Sequence, residues 1–215
     1  DKRQEQLADI RNAPEGFLYG TEYTKEDIDR AIRGEITIET TDEIGHGSEL
    51  ASVAAGSSLG NGLEFLGAAP SSMIVMVKLK QAKQYLRDYY LIPEGVPAYS
   101  EGDIMNAVNY CNRLQILYRK PIVICLGLGS SYGNHTGDLP LPTYLDKIAS
   151  FRNRSIVVCT GNEGMAAHHY YGVIERRPDI STEAYDDVEI SVGANERGFI
   201  LELWEKAFLQ TAYGF

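Results

Sequence analysis

Residues 121–164, "PIVICLGLGSSYGNHTGDLPLPTYLDKIASFRNRSIVVCTGNEG", hold two unbroken apolar runs with a helical pattern between them. The runs are "IVICLGL" at 122–128 and "SIVVCTG" at 155–161. Unbroken runs of this length, rich in Val and Ile, read as strands buried on both faces. "LPTYLDKIASF" at 141–151 reads as the helix that joins them. A strand, a helix and a second strand make a right-handed crossover to a parallel neighbour. The C-terminal ends of both strands then share one edge, and that is the edge where open α/β sheets bind ligands.

The pattern extends outward from this unit. "MIVMVKL" at 73–79 is a third β-branched run and is predicted to be a buried strand. "DIMNAVNYCNRLQILYRK" at 103–120 is amphipathic, with Ile104, Ala107, Val108, Cys111, Leu114 and Leu117 on one side, and Pro121 ends it. Further upstream, "TKEDIDRAIRGE" at 24–35 has a helix start at Thr24, an Asp three residues on, and a stop at Gly34. A helix also begins near His46, with Leu50, Val53 and Ala54 on one face. Residues 1–20 show no period. After residue 187 the texture changes: "VEISVG" and "GFILELW" alternate with period two and have no helix between them. The predicted architecture is α/β, with a mainly parallel sheet and helices on both faces over residues 1–187. The start of an antiparallel β module follows over 188–215.

Bulk properties exclude several functions. The 215 residues are 44% hydrophobic and 23% charged, the signature of an ordinary globular chain. A net charge of -10 offers no basic face for nucleic acid and no anchor for an anionic membrane. No apolar run approaches the roughly 20 residues of a membrane-spanning helix. Cys111, Cys125 and Cys159 are widely spaced, and the last two lie in strand-like runs. Buried free thiols fit them better than disulfides or metal ligands.

Three glycine-rich stretches are candidates for chemistry. "GLGSSYG" at 127–133 follows the first strand. A dinucleotide turn would need a helix to open there, and "NHTGDLPLP" does not open one. The same residues contain a G-x-S-x-G pattern with Ser131 as nucleophile, and Asp146 and His168 follow in the order of a hydrolase triad. A plain glycine loop, allowing another backbone close approach, is the competing reading. "TGNEG" at 160–164 follows the second strand. Its Asn162 amide can donate to an oxyanion, or the stretch is only a turn. "GHGSELASVAAG" at 45–56 sets His46 between two glycines at a helix start, with Ala51, Ala54, Ala55 and Gly56 small enough for close packing.

Together these stretches resemble the subtilisin-like serine proteases, which carry Asp, His and Ser in that chain order. "GHGSELASVAAG" resembles the family's histidine motif G-H-G-T-H-V-A-G-x-x-A-G. "GAAPSSMIVMVKL" at 67–79 resembles the segment after it, "GLGS" the edge that pairs with substrate, and "VVCTGNEG" at 157–164 the oxyanion segment. The resemblance spans residues 40–165 or so. "PEGFLYGTEYTKEDIDRAI", "VKLKQAKQYLRDYYLIP", "GNEGMAAHHYYG" and "VEISVGANERGFILELW" resemble a narrower branch, the clostridial germination-type Csp subtilases. The last of these resembles a jelly-roll β domain inserted ahead of the catalytic serine.

The resemblance implies His46 as general base, Asn162 as oxyanion donor, and Gly127, Leu128 and Gly129 as a backbone edge for substrate. It implies a protein or peptide substrate and an extracellular or spore-associated setting. It implies no metal ligand or cofactor from this stretch: calcium sites are common in the family, but no carboxylate loop here identifies one. Ser48, Glu49 and Ser52 depart from the Thr, His and Gly of the general motif. No aspartate-bearing strand precedes His46 and no G-T-S-M-A segment appears. The expectation is therefore a central fragment of an endopeptidase, inactive alone, whose Asp and Ser lie outside these residues. Two alternatives stay open: a non-catalytic relative that binds or regulates a partner, and an α/β-hydrolase using Ser131.

Overall fold

A computed structural model describes residues 13–58, 60, 65–173, 175–176 and 184–205. The chain divides into two compact units, Asp1–Ser71 and Ser72–Phe215.

In the first unit, α1 spans Lys25–Ile32 and α2 spans His46–Ala55. Thr24 caps α1 in a reciprocal capping box: its hydroxyl accepts from the Asp27 N–H, and the Asp27 carboxylate accepts from the Thr24 N–H. At the other end Gly34, with φ of +76°, donates to Ala31 O while Glu35 donates to Arg30 O. This is the two-bond stop that glycine makes cheap. Both ends of α1 follow the sequence reading.

The C-terminus of α2 is closed by the chain that returns to it. Gly67, Ala68 and Ala69 donate their N–H groups to the carbonyls of Gly56, Val53 and Ala54 at 2.8, 3.0 and 2.8 Å. These bonds satisfy carbonyls that a helix end leaves unpaired. The approach is tight enough to require glycine: a Cβ on Gly67 would lie 2.5 Å from Gly56 N.

The second unit contains α3 (Gln84–Tyr89), α4 (Glu101–Tyr118), β1 (Ile122–Leu126), α5 (Pro140–Ala149) and β2 (Arg154–Val158). A two-residue antiparallel pair, β3 (Glu175–Arg176) with β4 (Ala184–Tyr185), comes later. β1 and β2 pair in parallel, with Ile122 opposite Arg154 and Leu126 opposite Val158. The crossover predicted from the sequence is present, running through α5. Its core joins Val108 and Cys111 of α4, Ile124 of β1 and Ile148 of α5, with Tyr144, Leu145 and Ile156 packed against them.

Three expectations are corrected. Residues 73–79 form no strand ladder. Val75 and Val77 reach the core while Met73, Ile74 and Met76 stay exposed, so the run is used on one side only. Among the described residues helices cover one face of the β1–β2 pair, not both. α4 packs on β1, α5 on β2, and the two helices on each other, which sets both on one side. On the other side Val123 is 69% exposed and Val157 52% exposed. Cys125 points to that same open side, so it is exposed rather than buried, and Cys159 is exposed as well. Residues 186–205 form no ladder, and the β module expected over 188–215 extends to residues 206–215, outside the described residues. Alternation fixes which residues share a face, but a ladder needs a neighbouring strand to receive its hydrogen bonds.

Candidate functional site

The parallel pairing of β1 and β2 places two glycine-rich loops side by side. Pairing runs one step past the strands, where Cys159 N donates to Leu126 O at 3.2 Å. Gly127 and Thr160 therefore leave the sheet from the same edge. The two loops stay close: a Cβ on Gly129 would lie 3.9 Å from Cys159 O. Asn162 is exposed on a bend just after Gly161, whose φ of +77° is in the left-handed region. Gly127, Leu128, Gly129 and Asn162 are thus held at one end of one sheet by the chain's own topology.

A second contact ties these loops together further out. The rings of His135 and His169 lie 4.4 Å apart, tilted by 33°. His135 belongs to the loop after β1, and its Nε2 sits 3.1 Å from Ser131 O. His169 belongs to the loop after β2, beside His168, whose Nδ1 is 3.4 Å from Glu163 Oε2. The ring pair follows from no short motif, because it joins loops from different strands, whereas the ion pair is local to the loop after β2.

His46 is the first residue of α2 and is exposed. Gly45 before it has a φ of +86°, a conformation that favours glycine, so the turn into the helix depends on that residue. No side chain of Gly45 caps the helix, and Asp42 takes over that task. Its Oδ1 accepts from Gly45 N at 2.9 Å and Ile44 N at 3.3 Å. Its Oδ2 accepts from Ser48 N at 2.9 Å and Ser48 Oγ at 2.7 Å. One carboxylate thereby grips the backbone on both sides of His46. The Ser48 hydroxyl, then the N–H groups of Gly45, Ser48 and Ile44, hold the Asp42 carboxyl down to about 2. The sequence signal for this residue was an Asp three before a glycine and six before a serine, the pattern of a side-chain-closed turn.

The Ser131 alternative lacks its elbow. A nucleophile elbow needs a helix directly after the strand. After β1 the next helix is α5, which opens only at Pro140. Among the described residues no group of three or more His, Cys, Asp or Glu side chains could hold a metal ion, and no helix is long and apolar enough to cross a membrane.

No protein-family model matches the chain, and no curated protein sequence matches it. Among solved structures it is similar to a protease, CspB of Clostridium perfringens. The two are 27% identical, with a TM-score of 0.51, over 65% of this chain. The match covers 26% of the protease, so the matched part of the chain spans about a quarter of that protein's length. The likeness is that of a distant, protease-like relative with a mixed helix and strand fold.

Proposed function

We propose that these residues are the central part of a subtilisin-like serine endopeptidase. In this reading a serine outside the 215 residues attacks the carbonyl carbon of a peptide bond. His46 takes the proton from that serine and returns it to the leaving amine. Asn162 donates its amide N–H to the oxygen that becomes negatively charged. An aspartate, also outside these residues, would orient the His46 ring, and Asp42 would hold the helix turn that carries it. Gly127, Leu128 and Gly129 would present backbone N–H and C=O groups to an extended substrate, as an added strand.

The observation that carries this reading is the pairing of two glycine-rich loops at one edge of a parallel β-α-β unit, one bearing Asn162. The likeness to a protease, with residues 45–56 and 157–164 in the order the family uses, adds to it.

The test uses the intact parent protein and a fluorophosphonate probe, with the modified residue mapped by mass spectrometry. The expected label is on a serine outside residues 1–215, and His46→Ala abolishes it. Asn162→Ala should leave labelling geometry intact but lower peptide turnover by about 100- to 1000-fold. Labelling at Ser131, or labelling indifferent to His46, would overturn the reading.

A further inference from the structure

Glu202 reaches the glycine loop from 69 positions away: its Oε2 accepts the backbone N–H of Gly133 at 2.7 Å, in a partly buried contact. Two tyrosines gather at that loop, Tyr132 next to Gly133 in the chain and Tyr90 packed on Tyr132. The rings of Tyr90 and Tyr132 meet edge to face, with centroids 5.9 Å apart and planes at 85°. Tyr89 packs on Tyr90 in the same way at 4.9 Å. Burial, then the neighbouring Tyr132 and Tyr89, a hydrogen bond with Tyr132 and, least, the Glu202 charge push the Tyr90 phenol up. Gly198 packs within 3.1 Å of Leu91 Cδ1, measured from the Cβ it lacks, and this seats the 198–204 segment against the Tyr90 loop.

Among the described residues no lysine, arginine or histidine forms an ion pair with Glu202. Gly133 occupies one of its two oxygens, while an ionised carboxylate accepts at both. Tyrosine ring faces attract cations, and a carboxylate beside them adds a charge-assisted hydrogen bond. The chain's net charge of -10 draws basic ligands in general, and this spot sits on the loop that starts at Gly127.

We propose that Glu202, Tyr90 and Tyr132 form an acidic, aromatic subsite that takes a lysine or arginine side chain of the peptide laid along the glycine loop. The proposal rests on the reading that Gly127–Gly129 presents an edge to substrate. It makes Glu202 a specificity-determining residue supplied by a segment remote in sequence from the two loops.

The test measures peptide binding to the intact protein carrying His46→Ala, so that turnover plays no part. Fluorescein-labelled alanine-based pentapeptides with Lys, Arg, Gln or norleucine at each position in turn serve as probes, read by fluorescence polarisation. At one position Lys and Arg peptides should bind about tenfold more tightly than Gln or norleucine peptides, as a charge-assisted hydrogen bond predicts. Glu202→Gln keeps an oxygen acceptor for the Gly133 N–H and removes the charge, so it should equalise the affinities. Equal affinity for Lys and norleucine peptides with Glu202 intact would overturn the subsite, leave the substrate edge standing, and reduce Glu202 to a latch on the loop. Failure of every peptide to bind would overturn both. Should Glu202→Gln impair folding, the Lys against norleucine comparison still decides, because it needs no change at Glu202.

Discussion

Asp42 shows how one side chain can set the pose of another that it need not touch. Its two oxygens collect four hydrogen bonds from Ile44, Gly45 and Ser48, and His46 lies between the donors. The folded chain binds the ionised form better than the unfolded chain does, since the carboxyl is lowered from 3.8 to about 2. The sign follows from linkage: the contribution is fully present above about pH 4 and is lost as pH falls through about 2. Asp42→Asn should therefore lower the unfolding midpoint at pH 7 and flatten the acid dependence between pH 4 and 2. Urea titrations of both proteins across that range would check it. Ser48→Ala, which removes the largest single cause of the shift, should move the acid transition upward toward the ordinary carboxylate range.

At the scale of elements, two close fits make quantitative demands. The 67–69 segment donates to three carbonyls at the end of α2, and Gly67 is buried there with no room for a Cβ. Gly67→Ala places a methyl against backbone atoms that cannot swing aside, and should destabilise the chain by about 1–3 kcal/mol. Val108 of α4 is 1% exposed at the centre of the core against Ile124 and Ile148. Val108→Ala removes two methyl groups and leaves a small cavity, so about 2 kcal/mol should be lost. Denaturant unfolding measures both, and an unchanged midpoint in either case would contradict the packing described.

At the scale of the whole molecule, the core that holds β1 and β2 is one-sided. The open face of the sheet carries Val123, Cys125 and Val157. This gives the three cysteines different fates. Cys111 is buried in α4 and its thiol is pushed up to about 11 by that burial, so it should resist alkylation until the chain unfolds. Cys125 and Cys159 are exposed and should react in the native protein. Counting thiols with a chromogenic disulfide, before and after denaturant, should give two and then three.

Local physics made much of this legible in the sequence. The capping box at Thr24 and Asp27, the glycine stop at Gly34, the apolar face of α4 and the β1-α5-β2 crossover all depend on neighbours within a few residues. For these, spacing is geometry. Even there the end of α4 came two residues early. Arg119 takes a left-handed φ of 52° ahead of Lys120 and Pro121, and Leu117 stays 70% exposed. The edge that carries Gly127, Leu128, Gly129 and Asn162 was also legible, because a parallel crossover fixes which strand ends coincide. What only the tertiary structure decided is everything that joins distant segments. The open face of the sheet, the one-sided use of residues 73–79, the His135–His169 stack and the reach of Glu202 to Gly133 belong to this class. An apolar run states that a residue can be buried. Whether it is depends on which surface arrives to cover it, and that is set by packing across tens of residues rather than by the pattern along the chain.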